Sequence, residues 1–443
     1  MAASFLSSLI EGFAGAQRGK FFKIVPPFVD PKLAPGASEI PEPTFVDWLK
    51  AGPFVLVNTP NTVWALIALA MYFAVPYDLT SHSAAAASPL SRAFFAERFP
   101  LWLASWLGYT AYWHVTLYGL GWAERPFIAN RAYKVDKVAH NLFWSVSGVA
   151  IWVAFENVFA YLWATGRLAY MSDDEAFVSR RGTAKFVAAL ALTPIWRDFH
   201  FYFAHRLLHF NALYAQVHSL HHRNTDIEPF AGLCMHPIEH LYYYACILPS
   251  LVFVTTPFAL LWNGVHLILA PAASHSGWED HFQADAFHYY HHRYFSCNFA
   301  GVNAGFLDVW FGSFVSTLNP NDQKGCKPRA DVKSTLRTPP SVEFVSYLLL
   351  SGGCLAAWAV GALRVAEAGA QAVSPTLALH LALAAGFGPV VAASLVTALT
   401  RSGGGAPNNR PLKMAVLLGV GTLFCSVPIS WVCFLALQQP GTA

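Results

Sequence analysis

Apolar runs free of Asp, Glu, Lys and Arg dominate this chain: 51–77, 99–123, 241–278, 344–363, 368–400 and 414–443, with 138–164 interrupted only by Glu156. Roughly 20 apolar residues let a helix cross a hydrocarbon core ~30 Å thick. The pattern therefore predicts membrane-spanning helices. A shorter run, 183–204, is apolar up to Trp196 and then turns polar and rich in His. The window 241–278 is too long for one span and carries Pro249, Pro257 and Pro271. It reads as a helical hairpin that enters and leaves on one side, which brings the total to about nine spans.

Lys and Arg resist translocation, so their distribution tests the topology. With the N-terminus cytoplasmic, the inside segments 1–61, 122–140, 197–240, 271–342 and 401–413 hold 21 of the 28 Lys and Arg. The loop 165–185, with Arg167, Arg180, Arg181 and Lys185, runs against the rule. Near the start, Phe5, Leu6, Leu9, Ile10 and Phe13 form one helical stripe ahead of Arg18, Lys20 and Lys23, the pattern of an interfacial anchor. The expected organisation is a cytosolic N-terminal segment with an interfacial helix (1–60), a transmembrane pair (61–137), a catalytic domain (138–320), a basic cytosolic linker (321–342) and a C-terminal extension of three spans (343–443).

Composition agrees with a bilayer environment. Of 443 residues, 55% are hydrophobic and 12% charged, against about 25% charged in soluble domains. A net charge of +3 is too small to make the basic footprint of a nucleic-acid binder. The seven Cys show no CxxC spacing, so neither a disulfide framework nor a thiolate zinc site is indicated. No GxGxxG, Walker A loop or GxSxG elbow is present.

The candidate chemistry lies in histidine. Fourteen of the 18 His fall between residues 200 and 292. His205 and His209 stand at i, i+4 on one helix face, and Asp198 and Tyr202 extend that stripe, placing a carboxylate and a phenol within reach of the rings. His218, His221 and His222 form HxxHH; His288, His291 and His292 repeat it. Imidazole suits Fe, Zn, Cu or Ni, and eight such ligands exceed what one metal needs, so the count favours a dinuclear site. His275, directly after the hairpin, is a further ligand candidate. His236 precedes Pro237 and is equally a helix cap or a ligand, with Glu239 placed to orient a neighbouring ring. His82, His114, His140 and His380 read as structural, and His200, His240, His266 and His281 as supporting or structural.

The run Asp198-Phe-His-Phe-Tyr202-Phe-Ala-His205-Arg206-Leu-Leu-His209 resembles the D-x-x-x-Y-x-x-H-R-x-x-H signature of the fatty acid hydroxylase/sterol desaturase superfamily. His218–His222 and His288–His292 resemble its second and third boxes, His236-Pro-Ile-Glu239 and His275-Ser-Gly its HPxE and HSG elements, and Asn298–Gly301 and Leu307–Gly312 its closing segments. The resemblance covers residues 140–315. It implies an all-α polytopic integral membrane bundle with a cytosolic histidine-rich helical cap, in the endoplasmic reticulum. It further implies two iron ions, O2, and electrons from NAD(P)H through a separate cytochrome b5 or reductase, since no haem-domain HPGG signature is present. At the position four before His275, where many members carry another His, this chain has Pro271, which implies one protein ligand fewer, or the use of His236 or water.

The expected function is O2-dependent hydroxylation or desaturation of a membrane lipid, a sterol first, at a metal centre of His205, His209, His218, His221, His222, His236, His275, His288, His291 and His292, with Asp198, Tyr202 and Glu239 in support. Two alternatives stand beside it: the same chemistry on a fatty acyl, sphingoid, alkylglycerol or carotenoid chain, and a metal-binding or metal-transporting membrane protein.

Overall fold

The computed structural model describes residues 39–51, 59–121, 125–128, 135–209, 211–247, 256–279 and 284–318, with two isolated positions before them. The expected interfacial helix, the hairpin's turn, the basic linker and the three C-terminal spans lie outside these residues. Among the described residues every element is helical. In chain order they are α1 (Phe45–Ala51), α2 (Thr59–Ala74), α3 (Ala84–Ala87), α4 (Arg92–His114), α5 (Val135–Ala164), α6 (Asp173–Val178), α7 (Arg180–Leu208), α8 (Asn211–Gln216), α9 (Pro237–Tyr244), α10 (Pro257–Ser274), α11 (Ala284–Tyr294) and α12 (Phe306–Trp310).

Local chemistry sets the helix starts. Ser91, Ser172 and Ser179 each accept a hydrogen bond from a backbone N–H of the first turn of α4, α6 and α7, satisfying donors that have no intrahelical partner. Thr256 does the same for α10, whose first residue is Pro257. Among the described residues, two helices are long and apolar enough to cross a membrane, α5 with 30 residues and α10 with 18.

The hydrophobic pattern misplaces α4 by seven residues. The charge-free window opens at Phe99, yet the helix starts at Arg92. Arg98 is tolerated because its Nε and Nη2 donate to Glu156 of α5 at 3.0 and 2.6 Å. Tyr77 and Trp102 donate to the same carboxylate, and Arg98 Nη1 reaches Val75 O at 2.6 Å. The charge that interrupts α5 in the sequence is thus closed within the bundle. The polar change after Trp196 does not break α7 either; it continues unbroken for 29 residues through Pro194.

Two cores organise the rest. Trp102, Trp106, Trp152 and Trp262 fill the space between α4, α5 and α10. Gly264 permits the close approach, because a Cβ there would lie 2.2 Å from Trp152 and 2.8 Å from Trp102. A second core of Tyr202, Phe203, Phe287, Tyr290, Phe299 and Phe306 joins α7 to α11 and α12. The histidine-rich segments sit where α7 and α10 end, with His209 and His275 as the two C-cap residues.

Candidate metal centre

Nine histidines converge in two adjoining clusters. Ligand nitrogens of His205, His209, His218, His222 and His291 lie within 4.8 Å of one another, and those of His221, His275, His288 and His292 form a second set by the same measure. The i, i+4 pairs decide the partition, in both boxes alike. Residues His218–Arg223 form a 3-10 helix, and the third box lies on α-helical α11. In each the i and i+3 rings lie nearly parallel without sharing a cluster: His218 and His221 with centroids 5.5 Å apart and planes 25° apart, His288 and His291 with 5.4 Å and 22°. His222 swings toward His209 and His218, placing its Nε2 3.2 and 3.1 Å from theirs. On α11, His288 and His292 meet Nε2 to Nε2 at 3.1 Å, while His291 faces His222 at 3.0 Å. Each HxxHH box thus splits: its outer pair serves one cluster and its middle residue the other.

Tautomers are set from behind. His205 Nδ1 donates to Phe299 O (2.7 Å), His221 to Cys234 O (3.2 Å), His275 to Pro271 O (2.8 Å) and His291 to Cys297 O (2.6 Å). A ring whose Nδ1 carries the proton presents a bare lone pair at Nε2. Burial, the main cause, holds His218 down to about 3 and His221 to about 4, and lowers the others of both clusters as well. At neutral pH the imidazoles are uncharged, the ligand form. Lone pairs of neutral rings facing one another near 3 Å repel unless a cation sits among them, so the donor set fits metal ions. The ends of α7 and α10 add their partial negative charge in the same direction.

Glu239, near the start of α9, accepts from His218 Nδ1 at 2.7 Å. Burial pushes its carboxyl up to about 8, so the pair shares one proton; a cation at His218 Nε2 favours Nδ1–H with a Glu239 carboxylate. His236 lies apart from the clusters. Its Nδ1 accepts from Ile238 N at 3.2 Å as the cap of α9, and its ring stacks near Trp144. Of the two readings the sequence left open for His236, the cap is the one the structure displays.

Asp198 and Tyr202 are on the expected face of α7 but below the rings. With a rise of about 1.5 Å per residue, Asp198 is two turns from His205, and its carboxylate accepts from the Trp48 side chain. Tyr202 receives a hydrogen bond from Arg206 and stacks on Phe311 at 5.7 Å. The expectation that these side chains reach the ring nitrogens is corrected: the stripe gives the right direction and the wrong depth.

Sequence reading passed over Asp285 and Tyr118. Asp285, wholly buried on α11, accepts from Ser276 Oγ and from Trp278 N (3.2 Å), tying the turn after His275 to the helix that carries the third box. Tyr118, in a π-helical turn that extends α4, donates to Ser276 O at 3.0 Å. Only their burial and neighbours single them out, and neither is visible in spacing.

The described residues are therefore a helical assembly with a candidate dinuclear metal centre of nine imidazoles. Residues 190–313 match the family model described as Fatty acid hydroxylase, and over this stretch the chain is similar to members of the fatty acid hydroxylase/sterol desaturase superfamily. The Delta(7)-sterol 5(6)-desaturase erg3C of Aspergillus fumigatus is 25% identical over 36% of this chain and 59% of its own length. A Dictyostelium discoideum protein provisionally named as a methylsterol monooxygenase is 28% identical over 42% of this chain and 74% of its own. Human fatty acid hydroxylase domain-containing protein 2 is 32% identical over 25% and 34% respectively. The chain thus spans between a third and three quarters of the length of these relatives. No solved structure matches it.

Proposed function

We propose that this chain oxidises an unactivated C–H bond of a membrane lipid with O2, at two iron ions held side by side by its histidine clusters. His205, His209, His218, His222 and His291 hold one ion, and His221, His275, His288 and His292 the other. The reading is carried by the convergence of nine neutral imidazoles, eight of which bring Nε2 within 3.0–3.4 Å of another ring's Nε2. When bound, the metal pair supplies O2 activation and hydrogen removal, with hydroxylation or desaturation as the outcome. The protein's part is positional. Glu239 and four backbone carbonyls hold Nδ1 protons, and burial keeps bulk water from the nitrogens. His288, the most exposed of the nine at 7%, marks the side nearest the surface.

Two of the relatives named above are named for sterol chemistry, which supports a sterol ahead of acyl or sphingoid chains. Apolar α5 and α10 support delivery of the substrate from a bilayer, and the Lys and Arg distribution supports a cytosolic centre, in the endoplasmic reticulum by family likeness. Electrons come from NAD(P)H through a separate protein such as cytochrome b5 or a reductase. The test is a lipid profile of cells with and without the gene, joined to metal analysis of the purified chain. An accumulated lipid precursor and about two irons per chain are expected. An unchanged profile, or a chain that binds no metal, overturns the reading.

A further inference from the structure

The loop 295–300 between α11 and α12 has an unusual backbone. Phe295 and Asn298 both adopt positive φ, 61° and 49°, which non-glycine residues enter only when the surroundings impose it. Two buried side chains impose it here. Asp308, wholly buried on α12, accepts from Phe299 N (2.9 Å), Ala300 N (2.8 Å) and Ser313 Oγ (2.6 Å). Asn298, also wholly buried, donates to Phe287 O and Val315 O at 3.2 and 3.0 Å and accepts from Val315 N at 2.8 Å. What the loop presents in return is a pair of carbonyls: Phe299 O on His205 Nδ1 and Cys297 O on His291 Nδ1. Both histidines belong to the five-histidine cluster. In the four-histidine cluster the corresponding acceptors are elsewhere, Pro271 O in α10 and Cys234 O before α9.

Resting on the metal-binding reading above, we propose that Asp308 and Asn298 are positioning residues for one metal of the pair. They hold the loop whose carbonyls keep His205 and His291 with the proton on Nδ1 and the lone pair of Nε2 turned inward. Removing the carboxylate frees two backbone N–H groups and lets the loop leave its left-handed conformation. The five-histidine site then loses the alignment of two ligands, while the four-histidine site keeps all its supports. Loss of a group that orients a metal ligand weakens affinity about 10–100-fold.

The experiment titrates the full-length, metal-stripped chain in detergent with Co(II), following the visible ligand-field bands and the metal-to-protein ratio. Wild type takes up two ions. Asp308→Asn is expected to bind one ion as wild type does and the other 10–100-fold more weakly; Ser313→Ala, which removes one of the three hydrogen bonds, shows a smaller shift of the same step. His275→Ala removes the opposite ion, so the double variant Asp308→Asn/His275→Ala has no site of wild-type affinity. Thermal unfolding of the metal-stripped forms identifies any variant that simply fails to fold, and Ser313→Ala then carries the test. Two ions bound to Asp308→Asn and Ser313→Ala as to wild type, equal weakening of both steps, or one wild-type site left in the double variant overturns the inference while leaving the metal-binding reading intact. A wild-type chain that binds no Co(II) overturns both.

Discussion

Two buried polar assemblies in this protein obey opposite rules. In the helix bundle, Arg98, Glu156, Tyr77 and Trp102 pair donors with an acceptor, and the opposite charges of Arg98 and Glu156 meet at 2.6 Å. At the ends of α7 and α10, nine imidazoles bring ring nitrogens together, five of them with Nδ1 engaged from behind. The first assembly is complete with its own atoms; on the metal-binding proposal, cations complete the second. Burial and polarity are common to both. What separates a staple from a ligand site is whether the lone pairs find protons within the chain.

The contrast is open to direct attack. Replacing His291 or His221 with Ala is expected to cut lipid oxidation to below about a thousandth of wild type, because ligands of one centre act as a unit. Expression and insertion should persist, and turnover retained by either variant removes that residue from the metal site. In the bundle, Glu156→Leu leaves the Arg98 charge buried without its partner and is expected to cost about 3–5 kcal/mol. Adding Arg98→Met should restore most of the loss, read by thermal unfolding in detergent; no recovery would mean that the pair is not self-contained. A milder probe of the centre is Glu239→Gln, which keeps the shape and removes the carboxylate behind His218, for an expected ~10–100-fold fall in metal affinity with the fold retained. Smallest is Ser91→Ala at the start of α4, a lost cap costing about 1 kcal/mol with metal content unchanged.

Much of this arrangement was legible in the chain. The spacing of His205 with His209 and of the two HxxHH boxes singled out eight histidines that the fold gathers, because i, i+4 periodicity survives folding, and His275 after the hairpin joins them. Their division between two clusters was not legible, since it depends on how the two boxes meet across about seventy residues of intervening chain, the outer pair of each joining the middle residue of the other. Asp198 shows the same boundary. Periodicity reports the face of a helix but not which neighbour waits at that depth, here Trp48 of α1. For α4 the charge-free window failed at Arg98 because windows count charges singly and the membrane-compatible unit is the pair.

The lock on His205 also sets an order of manufacture. His205 is the first of the nine ligands to leave the ribosome, yet its Nδ1 acceptor, Phe299, is held by Asp308 and Ser313, about a hundred residues later. At about 5–20 residues per second, the nascent chain carries an unaligned ligand for several seconds. A complete five-histidine cluster is therefore a product of the finished domain, and on the metal-binding proposal its ion is chosen after synthesis of that domain, from whatever the compartment then offers.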